Sequence, residues 1–258
     1  KFPDTWIGIA VHNNDPMTVD EYDANIAPLL GYAYPGALAD RAMAVDPADL
    51  EAAYMVRMSK ISPAGITIEN KTFNSTTGEL SFTLTSDFVA QVSGYRFNSV
   101  LVENNVTGTG PGWDQANFYS GGGFGPMGGY ENLPDPVPAE DMVYQHVASA
   151  LLGDFWGVEG SLPETIYAGE THSYEFTTTI SDEWDISNIE IVGMLINFEE
   201  AEIANGTKAE LITGIPDNSK MTDVTVFPNP AKDKLNIRGD IQNAQLYIYD
   251  LTGNVVMK

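Results

Sequence analysis

From residue 66 onward the chain repeats one pattern, short segments of alternating apolar and polar residues parted by Gly, Asn and Pro. "GITIENKTF", "GELSFTLTS", "YRFNSVLVENNV", "HSYEFTTTI", "NIEIVGMLI" and "AEIANGTKAEL" each read as a strand of period two. A strand with one apolar face has to cover it with another layer, and consecutive strands separated by turns build antiparallel sheets. The pattern predicts an antiparallel β-sandwich over residues 61–214. One long interruption, "TGTGPGWDQANFYSGGGFGPMGGYENLPDPVPAEDM", is too rich in Gly and Pro for regular structure yet carries Trp113, Phe118, Tyr119, Phe124 and Tyr130. Such a loop is a folded surface insertion or a contact surface. "MVYQHVASALLGDFWG" after it fits a short helix or a strand equally well.

Residues 1–60 have a different texture. "TWIGIAVHNND" places Trp6, Ile7, Ile9 and Val11 in a near-continuous apolar run, the pattern of a strand buried on both faces. A helix over residues 19–26 follows, with Thr18 and Glu21 at capping-box spacing. Tyr34-Pro35 marks Pro35 as a cis-proline position. Asp46 before Pro47 supplies the cap and first-turn proline of a second helix. The order strand, helix, strand, helix makes a small α/β part ahead of the mainly β remainder.

Charge divides the chain again. Residues 217–258 hold five acidic and five basic side chains, which out of 36 and 12 leaves 31 and seven in residues 1–216, so the whole net charge of −24 lies there. The break near "GIPDNSK" sets off a third segment, residues 215–258. An excess of this size repels nucleic acid and anionic membrane surfaces. No run of about 18 apolar residues predicts a transmembrane helix. The first residues lack the basic and apolar regions of a signal peptide, and the chain opens at Lys1 as a mature or trimmed fragment would. With no cysteine, disulfides, Cys-ligated zinc and thiol chemistry are excluded for these 258 residues.

Residues 226–237 read "VFPNPAKDKLNI". Pro228 and Pro230 each lack an N–H and fix φ, so they belong at a sheet edge or just outside a strand. Leu235 and Ile237 then alternate with polar neighbours, and Leu246, Ile248 and Val255 flank the turn pair Thr252-Gly253. The tail is read as a short strand, a connection and a β-hairpin.

Motifs for chemistry are sparse. His12, His146 and His172 have no metal-ligand spacing, and the structural reading of each is favoured. No G-x-S-x-G occurs, and "GGGFGPMGG" lacks the Lys and Ser/Thr of a phosphate loop. Asp182-Glu183 and Glu199-Glu200 could serve acid–base catalysis, but among 36 carboxylates such neighbours arise by chance. Oxygen-rich "NNDP" and "DQANFYSGGG" leave calcium as the one cofactor to weigh against none, although neither matches an EF-hand. Trp113, Phe118, Tyr119 and Trp156 are the aromatics that could stack on a sugar, against the plainer reading that they pin their own segments.

Phe227, Pro228, Asn229, Pro230, Ala231, Leu235 and Ile237, then Leu246, Tyr249, Asp250, Gly253 and Val255, closely resemble the type A C-terminal sorting domain of proteins exported by the type IX secretion system of Bacteroidota. The resemblance implies a small C-terminal β-sandwich, here incomplete because a final Gly-x-Tyr strand and basic end are missing. It also implies cargo recognised by an outer-membrane β-barrel translocon and its shuttle, delivered to the cell surface or outside and attached to lipopolysaccharide or released.

"IGIAVHNNDPM", "GYAYPGALADR", "MVYQHVASALLG", "EGSLPETIYAGETHSYEFT" and "NIEIVGMLIN" are similar to the Omp-twenty-eight-related outer membrane proteins of the same bacteria. That likeness implies a partial thioredoxin-like region before the sandwich, with Pro35 as its cis-proline, but no Cys-x-x-Cys is present. The reading is a non-enzymatic secreted or surface protein with an adhesion or binding sandwich. Its alternatives are a surface thiol–disulfide protein whose cysteines precede Lys1 and a carbohydrate-binding module.

Overall fold

The computed structural model describes residues 2, 5–31 and 34–211 in full, and the backbone of four short strands between 225 and 257. By its contacts the chain forms two compact units, Lys1–Ile212 and Thr213–Lys258. All six alternating segments are strands: β3 (Ala64–Asn74), β4 (Glu79–Phe88), β6 (Tyr95–Glu103), β9 (Thr171–Thr179), β10 (Ile189–Asn197) and β11 (Glu202–Glu210). The ambiguous stretch supplies β7 (Val147–Leu152). They assemble into two antiparallel sheets, one in the order β3-β4-β9 and one in the order β11-β10-β6-β7. A two-stranded pair of β5 (Val92–Ser93) and β8 (Thr165–Ile166) is hydrogen-bonded to neither, and Ile166 and Val92 pack into the sandwich core.

The alternation explains the first core. Leu80, Phe82 and Leu84 of β4 face Phe97 and Leu101 of β6 and Ile189, Ile191 and Leu195 of β10, all essentially inaccessible to water. At about 1.5–3 kcal/mol for each large apolar side chain removed from water, this cluster is the main favourable term of the sandwich. Phe82 and Phe176 are directly opposed across β4 and β9, and their rings stack at 5.4 Å.

β6 and β10 depart from alternation because both of their faces are covered. Val100, Val102, Val192, Met194 and Ile196 point away from the sandwich into a second cluster built with Tyr22 and Phe155. The N-terminal residues Ile7, Ile9, Val11, Val19 and Ile26 complete that cluster. Residues 5–60 are therefore a third layer laid over the outer face of the four-stranded sheet. The apolar run at Trp6–Val11 is extended, as expected, but it joins no full ladder among the described residues. Its link to a sheet is one parallel bridge from Ala10 to Val147, with Ala10 N–H donating to His146 O and Ala148 N–H to Ala10 O. Its hydrophobicity comes from lying on a sheet and not from being inside one.

The first helix, α1 (Asp20–Leu30), runs four residues past the expected end and stops on Gly31, whose φ of 69° is the left-handed conformation of a helix C-cap. The capping box at Thr18 and Glu21 is not made. The residue at the N-cap is Val19, with no side-chain cap bond, while the Thr18 hydroxyl accepts from Asp15 N–H and Glu21 Oε1 accepts from Phe155 N–H. The Asp46 cap is made, its carboxylate accepting from Ala48 N–H at the start of a 3-10 turn that leads into α2 (Leu50–Met58). Between the helices, β1 (Ala37–Ala39) and β2 (Met43–Val45) form a small antiparallel hairpin. The Tyr34-Pro35 bond is cis, as is Asp135-Pro136. No thioredoxin-like sheet is formed by the described part of residues 1–60.

On the inner face of β10, Gly193 lies directly against a side chain of β4. A Cβ there would lie 2.5 Å from Cδ2 of Leu84, itself fully buried. Gly193→Ala is expected to lower stability by about 1–3 kcal/mol through overpacking, read as a lower urea midpoint at unchanged slope.

Candidate functional site

The long interruption is a folded insertion. Bridges Val106 to Tyr144 and Gln115 to Val137 close it, and Met17, Val137, Met142, Tyr144 and Val147 give it a small core. Asn117 is buried, and its amide donates to the carbonyls of Tyr130, Leu133 and Pro134. Trp113 works inside this structure. One face of its indole lies on Gly108, where a Cβ would come within 2.0 Å of the ring, and the Tyr144 hydroxyl donates to its carbonyl at 2.6 Å. Trp156 likewise packs at the edge of the second cluster against Phe155. Phe118 and Phe124 differ, being 59% and 56% exposed with ring centroids 5.0 Å apart, and Tyr119 joins them edge-on. Of the four aromatics weighed from sequence as stacking platforms, Trp113, Phe118, Tyr119 and Trp156, Phe118 is the one that presents its ring to solvent.

The histidines do not meet. His12 Nδ1 lies 2.6 Å from Asp15 Oδ2, His146 stacks beneath Gly8, and His172 Nε2 lies 3.1 Å from Glu170 Oε2. No group of three or more His, Asp and Glu that could hold a metal ion exists among the described residues. The carboxylates of the two oxygen-rich segments are engaged, Asp15 Oδ1 accepting from Met17 N–H and Asp114 Oδ1 from Ala139 N–H, and Asn13 of the first donates to Asp23 Oδ2. Asp182, Glu183, Glu199 and Glu200 all sit on exposed turns.

A site with no sequence signal lies on the other side of the N-terminal layer. A pocket of about 350 Å³ opens between residues 5–9, the β1–β2 hairpin, α2 and β11. Arg57, in the last turn of α2, is almost fully buried; its Nε donates to Asp40 Oδ2 at 2.7 Å and its Nη2 to Glu202 Oε1 at 2.6 Å. Lys60 adds a longer pair to Glu202 at 3.5 Å. Burial opposes the charge on Arg57, but the bonds to Glu202 and Asp40 outweigh it and raise its pKa. The same hydrogen bond from Arg57 pulls Glu202 below the usual carboxylate range. The clamp ties helix, hairpin and edge strand together, and Ile203 N–H adds a bond to Asp40 O.

Asp40 and Arg41 form the hairpin turn, both with positive φ, 51° and 59°. Left-handed backbone is uncommon outside glycine, and here each side chain anchors the turn in a different direction. Asp40 faces the pocket. Arg41 runs into the second cluster, where Nη1 donates to Phe155 O at 2.6 Å and the guanidinium stacks 3.8 Å from the Phe155 ring centroid.

In the tail, β12 (Thr225–Phe227) pairs antiparallel with β13 (Asn236–Arg238), and β14 (Ile248–Tyr249) with β15 (Val255–Met257). Phe227, Ile237 and Tyr249 thus lie on strands, and the hairpin expected around Thr252-Gly253 is the second pair. Pro228, Asn229, Pro230, Leu235, Leu246, Asp250 and Gly253 lie outside the described residues.

Residues 225–258 match the secretion system C-terminal sorting domain. No curated relative matches the chain. Its fold is similar to that of HBP35 of Porphyromonas gingivalis, with a TM-score of 0.53 at 14% sequence identity over 96% of this chain and 76% of that one. A domain of the outer membrane lipoprotein Omp28 from the same organism aligns at 11% identity over 58% of this chain and 89% of that one, with a TM-score of 0.31. The sorting domain marks the chain as cargo of the type IX secretion system, exported to the cell surface or the extracellular space. No described helix is long and apolar enough to cross a membrane.

Glu202 has a depressed pKa, so its share of stability is complete above the ordinary Glu range and is lost as pH falls through the lower folded value. The melting-temperature gap between wild type and Glu202→Gln should close in acid. Arg57→Leu, which leaves Asp40 without its cation and Glu202 with only the longer pair to Lys60, should cost about 3 kcal/mol at neutral pH.

Proposed function

We propose that the protein is a non-enzymatic surface or secreted protein whose sandwich unit is a binding or adhesion module and whose tail is the export address. The observation that carries the address is the sorting-domain match at residues 225–258. The partners assigned to it are an outer-membrane β-barrel translocon and its shuttle during export, and surface lipopolysaccharide afterwards. Support for a binding role over catalysis comes from the absence of cysteine and of nucleophile motifs in the sequence, and from the engagement of His12 and His172 by neighbouring carboxylates.

The contact surface we assign to the module is the glycine-rich insertion carrying Phe118 and Phe124, two large apolar rings held in water by a braced loop. Beyond their contacts with each other and Tyr119, these rings leave apolar surface in water, the kind of patch that marks a contact site. Pairing of solvent-exposed aromatics is also the arrangement that sugar rings stack on, which keeps carbohydrate among the partners of the module.

Export is tested by expressing the full chain and a chain ending at residue 212, each behind the same cleavable Sec signal peptide, in a host with the secretion system. The full chain should be recovered at the surface or in the medium and the shortened one from the periplasm. Equal surface recovery of both would remove the address from the tail.

A further inference from the structure

The pocket beside α2 has the features of a ligand site that the export reading does not use. Its volume of about 350 Å³ lies in the range of small-molecule sites. Trp6, Ile7, Met194 and Ile203 give it an apolar lining, while Asp40, Arg57 and Lys60 supply charge. β11 contributes a β-bulge: Ile203 and Asn205 pair with successive residues of β10, so Ala204 is the extra residue, and it too lines the pocket. Bulges of this kind re-aim side chains beside sites and are kept for that purpose. The left-handed Asp40 is a second local irregularity on the same wall.

The charges of the wall decide the ligand. Asp40 and Glu202 are balanced locally by Arg57 and Lys60, so the sign of the preferred ligand falls to what surrounds them. Two things do. Residues 1–216 carry 31 acidic against seven basic side chains, a field that concentrates cations and repels anions. Within the lining, the rings of Trp6 and Tyr54 lie 5.8 Å apart at 60°, an aromatic corner whose indole is the ring type that best attracts alkylammonium groups. Asp40 is 45% exposed at its side chain, and Oδ1 accepts nothing from the described residues while Oδ2 holds Arg57. An ammonium that reached Oδ1 would not have to break the clamp.

We propose that this pocket binds a small amphipathic cation, an amine with an apolar body, its ammonium at Asp40 and the aromatic corner and its body against Ile7, Met194 and Ile203. The inference rests on the pocket alone and stands or falls independently of export.

The test is titration calorimetry on the full chain at low salt with three probes of one shape: tryptamine, the neutral tryptophol and the anionic indolepropionate. Tryptamine should bind one to one and at least about tenfold more tightly than tryptophol, with indolepropionate weakest. Asp40→Asn keeps an acceptor for Arg57 and places at the left-handed position a residue that tolerates it. It should bring tryptamine to within about twofold of tryptophol. Ala204→Phe, which fills the pocket, should abolish binding of both, and a thermal melt of each variant verifies the fold. Tryptophol or indolepropionate binding as tightly as tryptamine would overturn the proposal. So would the absence of saturable tryptamine binding in the millimolar range, or tryptamine binding undiminished in folded Asp40→Asn.

Discussion

The fold depends on one constraint, that β6 and β10 are apolar on both faces. A sheet with a single buried face could have stopped at the sandwich. Val100, Val102, Val192, Met194 and Ile196 would then stand in water, a cost of about 1.5–3 kcal/mol for each large side chain. Residues 5–31 remove that cost by lying across the sheet, with Tyr22 and Ile7 among the contacts. Everything in the N-terminal layer follows from this demand, including the extended run at Trp6, the long first helix and the hairpin that carries Asp40 and Arg41. The layer in turn walls the pocket, with residues 5–9, the β1–β2 hairpin and α2 around it and β11 closing the remaining side.

Charge is handled in two ways in the same layer. Arg57 is buried with two carboxylates, so removing either partner leaves an uncompensated charge. Arg41 is buried with none: its guanidinium leans on Phe155 and donates to one carbonyl, while Nε and Nη2 have no hydrogen-bond partner. The two arginines share one hairpin turn as their point of attachment, Arg57 through Asp40 and Arg41 directly.

The strands were legible because their alternation is set by one core, and Leu80, Phe82 and Leu84 show it plainly. The Asp46-Pro47 helix start and the cis bond at Pro35 were legible too, since both are local. What could not be read depends on distant partners. Thr18 and Glu21 have the capping spacing, but Asp15 takes the hydroxyl and Phe155 takes the carboxylate. Trp113 looks like a stacking platform in sequence, and Gly108 occupies its face. The pocket has no linear trace at all: Asp40, Arg57 and Glu202 come from a turn, a helix end and an edge strand, and no spacing among them announces the clamp. In the tail the resemblance reached further than geometry does, because residues 225–258 match the sorting domain while several of its motif positions lie outside the described residues.

The central physical claim is that residues 5–211 are one cooperative body, with the N-terminal layer as integral as the sandwich. Two tryptophans report on its two halves, Trp6 in the layer and Trp184 packed against the sandwich core. The direct measurement is urea unfolding of two full-length variants, each keeping one of these tryptophans with the other three replaced by Phe, followed by fluorescence. Coincident midpoints and slopes for Trp6 and Trp184 are the predicted result. A Trp6 transition complete at a urea concentration where Trp184 is still native would contradict it, and would make the layer an appendage of the sandwich.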